Sequence, residues 1–173
     1  MHENPELSMQ ETNTIKYVCN ELEQMRIPYK IIPDGGIIGT IKGKKNGKTL
    51  ILRADLDALP MQEATTNLRK EKVAVSKVAG VAHTCGHDAH TAMLLGAAKL
   101  LSEHKEQLNG TILLVFEQGE EIGGGIDQLV EALKEISADG IWGIHVKNDL
   151  PAGKISVEAG PRMAAIMPFD ITI

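Results

Sequence analysis

Apolar and polar positions recur along the chain with two different periods, and the switches between them lay out a succession of helices and strands. Ile15, Val18, Cys19, Leu22 and Met25 repeat at helical spacing, which predicts an amphipathic helix with Cys19 on its buried face. Just upstream, Ser8-Met9-Gln10-Glu11 has the form of a capping box, in which the Ser8 hydroxyl and the Glu11 carboxylate each satisfy an orphan N–H at the helix start. Residues 27–32 read as extended and run into the turn Pro33-Asp34-Gly35-Gly36. Residues 37–42 and 49–54 flank Lys44-Lys45-Asn46-Gly47-Lys48, whose Asn-Gly predicts a tight hairpin. Within the second of these strands, Leu50-Ile51-Leu52 is the continuous apolar run expected of a strand covered on both faces.

Residues 62–80 are polar and without a clear period, and read as an excursion. A second helix follows near Thr91, with Leu94, Ala97, Ala98 and Leu101 on one face; Asn109-Gly110 closes it, and 111–116 is the most strand-like run in the chain. Ile126, Leu129, Val130, Leu133 and Ile136 mark a third helix, and 140–146 a further strand. Beyond Asp149 the character changes to a linker with new β segments at 154–158 and 169–173. This alternation predicts an α/β fold with a mostly parallel sheet and helices on both faces.

Composition narrows the function classes. With 43% apolar and 24% charged residues the chain reads as soluble and globular. A net charge of -5, no basic run and only two Phe, two Tyr and one Trp argue against nucleic acid as a partner. The polar, acidic N-terminus lacks the pattern of a signal peptide, and no apolar run approaches the roughly 18 residues of a membrane span. The two cysteines lie in unrelated settings, so a reducing cytoplasm is expected rather than a disulfide.

Chemistry concentrates in His83-Thr84-Cys85-Gly86-His87-Asp88-Ala89-His90, where three imidazoles, a thiol and a carboxylate fall within one octet. Cys85 and His87 offer the S and N donors that zinc takes at about 2.0–2.3 Å. The octet leads into the second helix, whose dipole favours a thiolate and a carboxylate at its N-terminus. A Cys/His pair also opens a second reading, that of a cysteine nucleophile. Three further strand ends carry candidates. Asp55 and Asp57 follow the buried strand, where open α/β sheets bind ligands, although a solvated acidic turn would look the same. Glu120 and Glu121 sit among glycines, a composition that suits a sharp turn or a close approach; one carboxylate could ligate a metal while its neighbour acts as a base. His145 ends the last strand. Successive βα units would bring all of these to one edge of the sheet.

On these residues the chain resembles the two-metal aminoacylase, carboxypeptidase and amidohydrolase family, in the branch of hippurate hydrolase, plant auxin-amino-acid amidohydrolases and N-acetyldiaminopimelate deacetylase. The resemblance rests on His2-Glu3-Asn4-Pro5-Glu6-Leu7-Ser8, Arg53-Ala54-Asp55-Leu56-Asp57-Ala58-Leu59-Pro60, the octet, the paired glutamates with their glycines, and His145-Val146. It implies a zinc-exopeptidase-like catalytic domain, here incomplete. Cys85, His87, Glu121 and His145 become metal ligands, Glu120 the general base, and Asp57, Asp88 and His90 partners that orient ligands. The implied cofactor is up to two divalent metals per complete subunit, zinc favoured and manganese, cobalt or nickel alternatives. The implied reaction is hydrolysis of the amide bond of N-acyl amino acids or small peptides through a metal-bound water.

The resemblance further implies that residues 1–157 are the N-terminal part of the catalytic domain. Residues 158–173 become a linker and the start of a lid and dimerisation domain, whose remainder would supply a homodimer contact and a further His ligand. Gln118-Gly119 stands where relatives usually have Pro-Ala. The alternative reading is a truncated, non-catalytic fragment or a metal-binding pseudoenzyme with exposed apolar surface.

Overall fold

The computed structural model describes residues 1–163. In chain order its strands are β1 (Tyr29–Ile32), β2 (Gly36–Lys42), β3 (Lys45–Asp55), β4 (Thr66–Asn67), β5 (Lys70–Glu71), β6 (Asn109–Glu117) and β7 (Gly140–Gly143). The helices are α1 (Thr12–Gln24), α2 (His87–Glu103) and α3 (Ile126–Leu133). Five strands form one sheet in the order β1-β2-β6-β3-β7. The pairings β6-β3 and β3-β7 are parallel, whereas β1-β2 and β2-β6 are antiparallel.

Helices cover both faces, as the alternation predicts. On one face Val18 and Leu22 of α1 and Leu94, Leu95 and Ala98 of α2 pack against Ile37, Ile41, Ala54, Leu114 and Phe116. On the other, Leu129 of α3 packs against Ile38, Ile51, Leu113 and Val115. The apolar runs in β3 and β6 are continuous because consecutive residues face opposite layers and both layers are filled. Fully burying a Leu or Phe side chain contributes about 1.5–3 kcal/mol, so these two strands fix the frame that carries the site.

Two local expectations give way to long-range pairing. Asn46-Gly47 does not turn a β2-β3 hairpin: β6 lies between those strands, and Asn46 and Gly47 are within β3. Glycine is needed there for close approach, since a Cβ on Gly47 would lie 2.9 Å from the backbone of Asn109 and Gly110. Nor do Ser8 and Glu11 form a capping box. The side chain of Glu11, the N-cap residue, makes no capping bond. Glu6 does that work from further upstream: its carboxylate accepts from the Asn13 and Thr14 backbone N–H groups at 3.1 and 2.8 Å.

The polar excursion contains the short β4-β5 hairpin. Glu63 ties it down, accepting from Lys72 Nζ at 2.7 Å and from the Ser76 N–H, and meeting His2 Nε2 at 3.2 Å. Beyond β7, residues 154–158 form no strand, so the β segment expected there is absent. The one expected at 169–173 lies outside the described residues. Ile141 and Trp142 on the edge strand β7, and Ile126 and Val130 on α3, are exposed. Among the described residues no helix is long and apolar enough to cross a membrane.

The Glu6 cap makes a pH-dependent prediction. Burial opposes its charge, but the bonds from Thr14 and Asn13 outweigh that and hold its pKa below the ordinary 4.5. A folded pKa below the unfolded one gives stability that is present above pH 4.5 and lost as pH falls through the folded value. Glu6→Ala should therefore lower stability by about 1 kcal/mol at neutral pH. Thermal melts should show the gap to wild type closing in acid.

Candidate metal centre

Three parallel strands bring their C-terminal ends to one edge of the sheet, and α2 begins at the same edge. Asp55 ends β3, with Asp57 two residues on; Glu117 ends β6 and leads into the 3-10 turn Glu120–Ile122; β7 ends at Gly143, two residues before His145. His87 is the first residue of α2. The site is thus built from three strand ends and one helix start. Gly86, the N-cap of α2, has φ +92, and a Cβ there would lie 2.4 Å from Val146 Cγ2. Only glycine allows both that backbone conformation and the approach of the segment bearing His145.

His87 defines the centre. Its side chain is only 1% exposed, and its Nδ1–H donates to Asp57 Oδ1 at 2.9 Å. In the neutral ring the proton sits on Nδ1, which leaves the Nε2 lone pair bare. That atom is buried and has no hydrogen-bond partner, and neither has Glu121 Oε1, which faces it at 3.6 Å. Glu120 Oε2 and Asp55 Oδ2 lie 3.7 Å from the same nitrogen. These separations are too long for hydrogen bonds. Buried electron-pair donors pointed at one another are costly unless a cation joins them.

A second cluster adjoins the first. His145 donates from Nδ1 to the Val146 carbonyl at 2.7 Å, which leaves its Nε2 3.4 Å from Cys85 Sγ. Ligand atoms of Cys85, His87 and His145 lie within 4.8 Å of one another, as do those of His87, Glu120 and Glu121. His87 belongs to both sets through its one free nitrogen, whose single lone pair serves one cation, so an S/N set and an N/O set adjoin there and each offers donors that suit a divalent cation. A third group, Asp55, His87 and His90, meets the same distance test. Its capacity is already committed, because His90 Nδ1–H donates to Asp55 Oδ1 at 2.6 Å and His90 Nε2 accepts from the Val146 N–H at 2.9 Å.

The electrostatics agree. Burial, then the charges of Glu121, Glu120 and Asp55, push the Cys85 thiol up to about 12. A nucleophilic cysteine requires the opposite shift, so these surroundings oppose the cysteine-hydrolase reading, whereas a divalent cation would draw the proton off. Burial lowers the His87 pKa, but the bond to Asp57 and the charges of Asp55, Asp57 and Glu121 raise it more. Burial likewise raises Glu120, His87 and Arg53 draw it back, and the balance leaves it above the ordinary glutamate range.

All the residues expected as ligands, Cys85, His87, Glu121 and His145, come together with Glu120. Among the expected orienting partners, Asp57 holds His87, and His90 holds the peptide next to His145. Asp88 does otherwise: its carboxylate accepts from His2 Nδ1 at 2.7 Å and anchors the N-terminus. His83, counted with the octet's imidazoles, is buried with both ring nitrogens unpartnered and belongs to none of the three clusters; burial holds it neutral.

Arg53 was legible only as part of a motif. It donates to Glu117 Oε2 at 2.7 Å and Asp55 Oδ2 at 2.9 Å, with Nη2 4.0 Å from Glu120 Oε1. Its role could have been suspected from a cation two residues before the aspartate that ends an apolar strand.

A mixed α/β sheet with thiol, imidazole and carboxylate donors at the ends of its parallel strands defines an α/β protein whose sheet edge offers ligand sets that suit a divalent cation. The sequence profile described as Peptidase family M20/M25/M40 matches residues 51–171, and the chain belongs to that family. It is 49% identical over 95% of its length to the IAA-amino acid hydrolase ILR1-like 4 of Arabidopsis thaliana, and 44% identical over its whole length to N-acetylcysteine deacetylase of Bacillus subtilis. It covers 36% and 45% of those proteins, so it spans less than half of either. Among solved structures it matches the YXEP protein of Bacillus subtilis, described as a dinuclear metal-binding peptidase of the M20 family. That match has a TM-score of 0.84 and 42% identity, covering 92% of this chain and 44% of that one.

Asp57→Ala should release the His87 ring and its tautomer, and cost about 10–100-fold in zinc affinity. Competition against a chromogenic chelator measures this, and unchanged affinity would refute the role given to Asp57.

Proposed function

We propose that the full-length protein is a metal-dependent amidohydrolase that cleaves the amide bond of N-acyl amino acids or small peptides. The observation that carries the reading is the pair of buried, unpartnered atoms, His87 Nε2 and Glu121 Oε1, set face to face beside a thiol. Cys85, His87, Glu121 and His145 are proposed to hold up to two divalent cations. Zinc is the first choice because its chemistry accommodates sulfur, nitrogen and carboxylate donors together, and manganese, cobalt and nickel are the alternatives. When bound, such cations supply Lewis acidity to polarise the amide carbonyl and acidify water.

The chain's own residues supply the rest. Glu120, half-exposed at the rim, takes the proton of the attacking water and returns it to the departing amine, so that water and amide become carboxylic acid and free amine. Asp57 fixes the His87 tautomer and His90 fixes the peptide next to His145. Arg53 pairs with Glu117 and Asp55 behind the site, and its own charge draws Glu120 down.

Two relatives support the substrate class, since one is an IAA-amino acid hydrolase and the other an N-acetylcysteine deacetylase. Residues 1–157 are proposed as part of the catalytic unit, the remainder of which lies in the longer polypeptide that such relatives have. The reading that this chain alone is non-catalytic draws on the same shortfall in length. Unpaired Cys19 and Cys85 suit a reducing cytoplasm.

In full-length protein, Glu120→Gln should lower turnover of N-acetyl and N-benzoyl amino acids by about 10²–10⁴-fold, with metal content unchanged. Turnover at the wild-type rate would remove Glu120 as the base.

A further inference from the structure

The turn that presents Glu120 and Glu121 has an unusual set of supports. Its own backbone closes it, with the Gly124 N–H donating to the Gly119 carbonyl at 2.8 Å and the Gly123 N–H to the Glu120 carbonyl at 3.0 Å, and side chains far away in sequence hold two further amides. The Gly119 N–H, at the head of the turn, donates to Glu11 Oε1 at 2.7 Å inside the protein. The Glu121 N–H donates to Asp57 Oδ2 at 3.0 Å, and the same carboxylate oxygen accepts from Ser8 Oγ at 2.6 Å. Between these two contacts lies Met9. A Cβ added to Gly119 or Gly124 would stand 2.6 or 2.7 Å from Met9 Sδ, so the thioether occupies the space those glycines leave open. Met9 itself has φ +64, a left-handed conformation that a non-glycine residue holds only when its surroundings impose it. Glu11 is fully buried, and its second oxygen has no partner. A charge-bearing side chain is seldom placed in such a position for packing alone.

We infer that the N-terminal arm at residues 8–11 is a positioning device for the metal-binding turn, with Glu11 as its anchor and Ser8 and Met9 as its flanks. Three side chains of the arm reach the turn: a hydroxyl acting through Asp57, a thioether filling the glycine cradle, and a carboxylate on the first amide. Together they fix where the Glu120 and Glu121 backbone lies relative to His87. A turn with glycines at 119, 123, 124 and 125 has many accessible conformations of its own, and an external clamp removes them. The inference rests on the metal-centre reading for its consequence, but the ordering of the turn is measurable without any metal.

The test compares Glu11→Ala with Glu11→Gln, whose amide oxygen still accepts from the Gly119 N–H. In metal-free protein, Glu11→Ala should speed amide hydrogen exchange at Gly119 and Glu121 while β2 and β6 keep their protection, and Glu11→Gln should restore it. Zinc affinity should fall by about tenfold or more in Glu11→Ala and recover in Glu11→Gln. Should Glu11→Ala not fold, Met9→Ala and Ser8→Ala carry the same prediction from the flanks. Unchanged exchange at Gly119 and Glu121, or zinc affinity that stays at the wild-type value while only the melting temperature falls, would overturn the inference. Wild-type protein that binds no zinc would instead remove the metal-centre reading, and the clamp would then stand or fall on exchange alone.

Discussion

The hydrogen bond from His87 Nδ1 to Asp57 Oδ1 is the constraint on which the rest of the site depends. It uses the proton that imidazole carries when neutral and leaves an electron pair in a space where Glu121, Glu120 and Asp55 already present oxygen. Without a cation this arrangement is frustrated: both Nε2 and Glu121 Oε1 are buried and unpaired. With a cation the same arrangement becomes a ligand set. Asp57 also receives the Glu121 N–H and the Ser8 hydroxyl, so one carboxylate orients a nitrogen donor and locates an oxygen donor on a different element.

The fold serves this geometry by separating rigidity from chemistry. β3 and β6 are clamped between two apolar layers, and their aliphatic central runs give way to ionic side chains at the C-terminal ends. Arg53 sits at that boundary and pairs with Glu117 and Asp55, which gives two nearly inaccessible carboxylates a countercharge. The glycines then let backbone come close where side chains could not: Gly86 admits Val146, and Gly119 and Gly124 admit Met9.

Much of this was legible in the sequence, for identifiable reasons. Cys85, His87, Glu121 and His145 could be read because each chemistry-bearing residue follows an apolar run or opens a helix, and parallel strands send such ends to one edge. The errors share one cause, which is that local signatures do not reveal distant partners. Asn46-Gly47 has hairpin chemistry, yet β6, some sixty residues later, inserts between the two strands it was expected to join. Ser8 and Glu11 have capping-box spacing, yet their bonds go to Asp57 and Gly119, 49 and 108 residues away. Asp88, expected to orient a ligand, lies in the first turn of α2 with its carboxylate on His2.

X-ray absorption at the zinc edge of stoichiometrically reconstituted protein tests the central claim most directly. A cation held by Cys85 with His87 and His145 requires a sulfur scatterer at about 2.3 Å and nitrogen at about 2.0–2.1 Å, and the sulfur contribution should vanish in Cys85→Ser. A spectrum with only oxygen and nitrogen in wild type, or one unaltered by Cys85→Ser, would contradict the account.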